Sequence, residues 1–384
     1  MKIVYINDEL ISSDGSNSHA VGLLNALKKT LNEENVRSYP EPINGSNIKV
    51  NNNVNKLKKK FKLIFAFVRI FRKKYLSIKR SKEIINDLNN QNFIPTHIIA
   101  RATVFDITAI YVAKKFNAKL IYEVNTPFFY EMGVLNKEPF TKKIENWEKK
   151  IINDSDKVYV VSNICKEMIV NHYNVDKNKF FVIPNGYMKE LYSESNDEKI
   201  KIRNKVRKDS NLSDKFVVTF IGSLKKWHGI RLLCDLAESM EKYKDIVFLV
   251  IGDGEEHDLV TSYVEKHSNM IFKGKLNLEN MKKYLYGSDL GIMPYELNKN
   301  FYYSPLKMYD MIGAGLLFVG TAVGQISDYC YENNLSDLLI VNPNIESFCN
   351  KILELRNKSI LINNLHDSWD DRVTKLFYEI KVIK

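Results

Sequence analysis

Residues 302–315 read Tyr-Tyr-Ser-Pro-Leu-Lys-Met-Tyr-Asp-Met-Ile-Gly-Ala-Gly, and a loop separates them from an apolar segment, Leu290 to Met293. Ser304 suits an N-cap and Pro305 the first helical position, so a helix is expected from here to the glycines at 313 and 315. Strand, loop and helix start in this order bring free backbone N–H groups and the positive end of a helix dipole to the C-terminal edge of a sheet. Open α/β sheets bind anionic ligands there. Lys307, in the first turn, adds a positive charge. Asp310, on the same face, offers a carboxylate to a pair of sugar hydroxyls. An ordinary amphipathic helix with a solvent-facing Lys and Asp would carry the same residues, so the surrounding pattern has to separate the two.

Working outward, the chain alternates apolar strands with helical periodicity. Lys2 to Asn7 reads as a buried strand, followed by a Ser-, Asp- and Asn-rich loop around Gly15 and a helix marked by Val21, Leu24, Leu27 and Leu31. Further strands are expected at His97–Ala100, Leu120–Val124, Lys157–Val161 and Phe180–Ile183. Arg101 and Asn125 stand just beyond the C-terminal ends of two of them, where ligand crevices form. A polar stretch from 193 to 214 reads as the linker, and a second alternation begins at Phe216–Ile221. It continues through Ile246–Ile251, Met270–Phe272, Leu290–Met293, Leu316–Val319 and Leu338–Val341. The last helix, near 368–380, carries a stripe of Trp369, Val373, Leu376 and Phe377 and is expected to cross back to the first domain.

The fold class is therefore α/β with two doubly wound domains, the natural division of a chain of 384 residues. The expected boundaries are 1–192 for an N-terminal Rossmann-like domain, 193–364 for a C-terminal one, and 365–384 for the returning helix. No G-x-G-x-x-G follows the first strand, which argues against a nicotinamide or flavin enzyme. Four cysteines stand far apart without a Cys-x-x-Cys pair and read as buried thiols of a reducing compartment. No apolar run approaches the roughly 18 residues of a membrane span and no apolar leader follows the opening Met-Lys, so a cytoplasmic protein is expected.

The formal net charge of +11 comes from one place. Between Lys49 and Lys82 stand thirteen Lys and Arg and no Asp or Glu, and the remaining chain is close to neutral. Residues 56–85 set Leu57, Phe61, Ile64, Phe65, Val68, Phe71 and Tyr75 on one helical stripe, flanked by the basic side chains. Such a helix suits an anionic membrane surface, although a helix packed on its own domain with a solvated outer face fits the same pattern. Nucleic acid is a poorer fit, because no aromatic-stacking sheet motif or helix-turn-helix pattern accompanies the charge.

The order of the motifs narrows the class. Val160-Val161-Ser162-Asn163 with Cys165-Lys166-Glu167 comes first, then Ile183-Pro184-Asn185-Gly186, Phe220-Ile221-Gly222-Ser223-Leu224 and Ile251-Gly252-Asp253-Gly254-Glu255. Ser304 to Asp310 with Gly313-Ala314-Gly315 closes the series. This succession, from Lys2 to about residue 345, resembles the retaining family 4 glycosyltransferases of the GT-B fold, the glycosyl transferases group 1. The resemblance implies two facing Rossmann-like domains with a cleft between them and a nucleoside-diphosphate sugar held mainly by the second. Asp310 would hold the ribose hydroxyls in the place of a glutamate. The amides near Ser304, Pro305, Leu306 and Lys307 would meet the diphosphate, backbone near Lys275 and Leu276 would border the base, and Gly15 would let the first domain's loop approach the phosphates.

Three departures accompany it. Tyr302 stands where the first of the family's paired glutamates is expected. Ser223 occupies a basic position, for which Lys225 or Lys226 can substitute beside His228. Asn125 replaces a histidine found in many members.

The chemistry so implied is retention without a protein nucleophile: positioning, and charge stabilisation on the departing diphosphate by Lys225, His228 and Lys307, with Asn125 a further catalytic candidate and Arg101 a candidate for the acceptor, although either side chain could equally cap or fix its loop. Neither a metal nor any other cofactor is expected. Asp154-Ser155-Asp156 has the Asp-x-Asp form of a metal site but precedes its strand, the wrong end for a ligand, and no His/Cys cluster supports zinc. The expected function is transfer of a hexose or derivative to a saccharide or lipid-linked acceptor in surface-polysaccharide or glycolipid assembly. The alternative is a catalytically silent nucleotide- or glycan-binding member that scaffolds a partner enzyme. An epimerase or phosphorylase of the same architecture has no sequence feature in its favour.

Overall fold

The computed structural model describes residues 1–12, 15–41, 62–356 and 366–380, and not the side chains of 15, 16, 62–67 and 69. The chain divides into two compact units, Met1–Pro184 with Arg372–Lys384, and Asn185–Asp371. Among the described residues no helix is long and apolar enough to cross a membrane.

The first unit is built on six parallel strands: β1 (Ile3–Ile6), β2 (Val36–Tyr39), β3 (His97–Arg101), β4 (Lys119–Val124), β5 (Lys157–Val160) and β6 (Phe180–Val182). Their order is β2-β1-β3-β4-β5-β6. The strands are buried on both faces because helices cover both, as parallel sheets require. Those helices are α1 (Gly15–Leu31), α2 (Lys62–Asn90), α3 (Thr108–Phe116), α4 (Thr141–Asp154) and α5 (Asn163–Tyr173). Strand β2 escapes the sequence reading for a physical reason: it has four residues, two of them Arg37 and Ser38, and lies at the sheet's edge, where a continuous apolar run is not needed.

The second unit repeats the design with β7 (Phe216–Ile221), β8 (Ile246–Ile251), β9 (Met270–Phe272), β10 (Leu290–Met293), β11 (Phe318–Thr321) and β12 (Leu339–Ile340). Here the order is β12-β11-β10-β7-β8-β9, again all parallel. Helix α6 (Asn196–Asp209) opens with a full capping box, Ser195 and Glu198 satisfying each other's backbone N–H. It is followed by α7 (Ile230–Ser239), α8 (His257–Val264), α9 (Leu278–Gly287), α10 (Leu306–Ala314), α11 (Gly324–Glu332) and α12 (Ile345–Arg356). Helix α13 (Trp369–Glu379) begins in the second unit and belongs to the first from Arg372 onward.

In each unit the chain order reverses once, between β1 and β3 in the first and between β7 and β10 in the second. The loops at the carboxyl ends of these strands carry the residues of interest. Asp156, by contrast, lies at the amino end of β5, where its carboxylate accepts from the Lys119 ammonium (2.8 Å) and the Leu120 amide (2.8 Å).

Candidate functional site

At the reversal point of the second sheet, Gly222 follows the end of β7 and the chain that leaves β10 returns as α10. The helix starts one residue later than the sequence suggests, with Pro305 at the N-cap and Leu306 as its first residue. Ser304 is therefore no side-chain cap. Its hydroxyl accepts from the Asn185 amide (3.0 Å) and its carbonyl from the Asn185 side chain, so the Pro-Asn-Gly segment pins the start of α10. Gly315, at φ +74°, ends the helix in the left-handed conformation.

Lys307 is buried, 7% exposed, and its Nζ has no hydrogen-bond partner among the described residues. It lies 4.0 Å from the ring centroid of Phe220 and 5.0 Å from that of Tyr295. Burial holds its pKa down at about 7. Gly222, at φ +124°, permits this approach, since a Cβ there would stand 2.9 Å from Lys307 Cε. Gly252 is equally constrained, as a Cβ would fall 1.8 Å from the Gly222 carbonyl oxygen. The Gly-Asp-Gly turn thus props the loop after β7, and Leu224 N–H donates to the Asp253 carbonyl (2.9 Å).

In that loop Ser223, Lys225 and Lys226 are exposed, whereas His228 is buried. Because a carbonyl only accepts, His228 Nδ1 carries the proton it gives to the Ser223 carbonyl (2.5 Å), and Nε2 is left as an acceptor. Burial, with the nearby Lys307 charge adding to it, pushes the His228 pKa down to about 2. The ring is therefore neutral in this arrangement, and the positive charge beside it belongs to Lys307. Trp227 fixes the loop by stacking on Tyr303 (4.8 Å) and on Tyr295 (5.7 Å).

Asp310 is partly buried, and its Oδ1 accepts from the Tyr192 hydroxyl (2.9 Å). Burial raises its pKa to about 6 against the opposing effect of that hydrogen bond. Tyr302, where the sequence comparison expects a glutamate, is fully buried, and its hydroxyl lies 2.8 Å from that of Tyr303. Lys275 and Leu276 lie in the loop between β9 and α9, Lys275 exposed and Leu276 partly buried.

In the first unit, Arg101 and Asn125 come together on a residue that sequence reasoning overlooked. Glu123, fully buried near the end of β4, accepts from Asn125 Nδ2 (2.6 Å) and lies 3.5 Å from Arg101. Its other oxygen accepts from the hydroxyls of Tyr159 (2.6 Å) and Tyr5 (3.2 Å), while His19 Nε2 on α1 is 2.7 Å from the first. Burial alone would raise the Glu123 pKa, but His19, Arg101 and the Tyr159 hydroxyl outweigh it and hold it at about 2. Since a carboxylate only accepts, the Asn125 amide must turn its nitrogen inward. Its Oδ1 is buried and unpaired among the described residues. The signal was a Glu inside the apolar run Leu-Ile-Tyr-Glu-Val, which no half-buried strand tolerates without partners. Gly15 opens α1 on the loop that follows β1.

Each of the two units is a doubly wound parallel sheet, and the second carries at a helix start a buried lysine without a hydrogen-bond partner among the described residues. Residues 215–358 match the model of the Glycosyl transferases group 1, and residues 48–190 match that of Glycosyltransferase Family 4. The chain belongs to this family of glycosyltransferases of the GT-B type. It is 26% identical over 200 residues to a Bacillus subtilis (strain 168) glycosyltransferase named for teichuronic acid biosynthesis, TuaH, covering 50% of this chain and 47% of that protein. It is 24% identical over 254 residues to the phosphatidylinositol N-acetylglucosaminyltransferase GPI3 subunit of Saccharomyces cerevisiae (strain YJM789), covering 62% and 52%. The matches thus span about half the length of these relatives. Among solved structures, Anabaena Alr3699/HepE in complex with UDP and glucose superposes with a TM-score of 0.62 at 13% identity, over 99% of this chain and 95% of that one. Sucrose-phosphate synthase from Thermosynechococcus elongatus gives 0.64 at 14% identity, over 100% and 97%.

Proposed function

We propose that this chain transfers a hexose or hexose derivative from a nucleoside-diphosphate sugar to a saccharide or lipid-linked acceptor, with retention and without a metal, in surface-polysaccharide or glycolipid assembly. The observation that carries this reading is Lys307: a buried ammonium without a hydrogen-bond partner among the described residues, beside the start of α10, would be stabilised by a bound anion. The diphosphate would lie against Lys307 and the α10 amides, with Lys225 at its solvent side, and Asp310 would accept from the ribose. The acceptor hydroxyl attacks the anomeric carbon as the bond to the diphosphate oxygen breaks, and that oxygen takes the hydroxyl proton. On the first unit, Asn125 and Arg101 are proposed to serve the acceptor.

Helix α2 supports contact with an anionic membrane surface. Val68, Phe71, Tyr75 and Leu76 are exposed together with Arg72, Lys74 and Lys79. Residues 56–61, and with them Leu57 and Phe61 of the expected stripe, lie outside the described residues, as do the side chains of Ile64 and Phe65. The protein would then work at the inner face of the cell membrane, on a lipid-linked acceptor.

The test is calorimetric titration with UDP-, GDP-, ADP- and TDP-sugars, followed by turnover assays of wild type and Asp310→Ala. One donor is expected to bind and turn over, and Asp310→Ala to abolish turnover. Tyr302, buried in place of a glutamate, favours the second reading, a silent scaffolding member. Donor binding without turnover across a broad acceptor panel would establish that reading instead.

A further inference from the structure

Tyr192 and Asp310 stand 118 residues apart in the chain and meet within the second unit, where the tyrosine hydroxyl donates to Asp310 Oδ1 over 2.9 Å. Among the described residues that carboxylate has no other hydrogen bond and no ion pair. Tyr192 ends the short 3-10 turn Lys189–Tyr192, and its ring is buried, edge-on to Tyr187 (6.1 Å, 72°) and to Tyr286 (6.4 Å, 78°). Tyr286 is itself held, because its hydroxyl donates to Glu194 (2.7 Å), which also pairs with the Lys282 ammonium. On α10 the room for the ring is made by Gly313, about one turn after Asp310. A Cβ there would stand 2.6 Å from Tyr192 Cδ2.

An aspartate turns about two side-chain bonds, and one shielded from water without a cation tends to take up a proton. Burial pushes Asp310 up to about 6, and the Tyr192 hydroxyl is the group that pulls against it. Burial, and after it the Asp310 charge, raises the Tyr192 phenol well above its ordinary value, so the tyrosine keeps its proton and stays a donor. The other ionisable groups act on this pair at one remove. Tyr286 and Glu194 reach it through Tyr192, Lys282 through Glu194, and Tyr187 packs its ring beside that of Tyr192. Lys307, one turn earlier on α10, turns its ammonium toward Phe220 and Tyr295.

We propose that Tyr192 is a positioning residue of the donor site, whose hydroxyl fixes the Asp310 carboxylate in the orientation that receives a donor ribose and leaves Oδ2 for the sugar hydroxyls. The inference rests on the nucleotide-sugar reading of this unit, and it adds a residue that lies outside every motif of the sequence. It carries a consequence in pH. Without the tyrosine hydroxyl only burial acts on Asp310, so the carboxyl takes up its proton at a higher pH. The acid limb of nucleotide binding then moves up toward the alkaline limb that Lys307 sets at about 7, and the optimum narrows.

Calorimetric titration of the full chain tests it, with UDP, GDP, ADP and TDP as probes between about pH 5 and about pH 7, and inorganic pyrophosphate as a probe that carries no ribose. At least one nucleotide is expected to bind the wild type, and its affinity to fall roughly tenfold in Tyr192→Phe at about pH 7. The further loss on acidification should begin at a higher pH in the variant than in the wild type, while pyrophosphate affinity stays within about twofold. Gly313→Ala displaces the same ring and is read in the same way should the first variant not fold. An unchanged nucleotide affinity, an acid limb that does not move, or an equal loss for pyrophosphate overturns the proposal. Nucleotide binding that the variants leave unaltered removes this inference alone, whereas a wild type that binds none of the four nucleotides removes the reading beneath it as well.

Discussion

The ammonium of Lys307 rests over the face of Phe220, 4.0 Å from the ring centroid, and no acceptor among the described residues reaches it. A desolvated cation–π contact is worth about 2 kcal/mol, whereas burying an unpaired charge costs several. Desolvation therefore wins, and the pKa falls to about 7. Lys307→Met keeps the length and removes the charge. The unliganded protein is expected to gain about 1–4 kcal/mol, while nucleotide-sugar affinity drops by about 10–100-fold. The stability gain has a sign in pH: the unfolded chain binds the extra proton between about pH 7 and 10.5, so the wild-type penalty is complete below 7 and gone above 10.5. Thermal midpoints of wild type and variant at about pH 6.5 and about pH 10 check it, and a gain that persists at the higher value would count against the assignment.

Donor binding itself should depend on pH. An anion binds the protonated lysine, so affinity is expected to hold below about pH 7 and to fall by up to roughly tenfold per unit above it. On the acid side Asp310, raised to about 6, loses its charge, which would weaken the ribose contact proposed for it. Calorimetry across this range should show proton uptake on the alkaline limb that is absent in Lys307→Met.

Glu123 is the anchor of the first unit's polar network. Glu123→Gln keeps the shape but leaves the Arg101 guanidinium without its counter-charge, and is expected to cost about 3–5 kcal/mol at neutral pH. The folded-state pKa lies near 2 and the usual value is 4.5, so this contribution is present above 4.5 and lost as pH falls toward 2. The difference in thermal midpoint between wild type and variant should therefore shrink on acidification.

Membrane contact through α2 has its own check. The full chain should co-sediment with vesicles rich in phosphatidylglycerol and not with phosphatidylcholine, and Arg72→Glu with Lys74→Glu should weaken it by about 2 kcal/mol or more. Sedimentation that ignores both lipid charge and these substitutions would assign the exposed Val68, Phe71 and Tyr75 to another purpose.

The sequence by itself determined the class. Eleven of the twelve strands follow from apolar runs bounded by turn residues, because parallel strands are buried on both faces and leave no alternation to misread. The residues around 302–315 likewise announce a helix start at a sheet edge, and their order with the other motifs names the family. What only the tertiary structure decided concerns charges. That Lys307 has no hydrogen-bond partner among the described residues, that Arg101 and His19 meet on Glu123, and that Arg80 is already matched by Asp8 and Asp106 depend on groups distant in the chain, and the neutrality of His228 depends on its burial. Desolvation and hydrogen bonding set a side chain's charge, and both are properties of the packed neighbourhood, which no local pattern records.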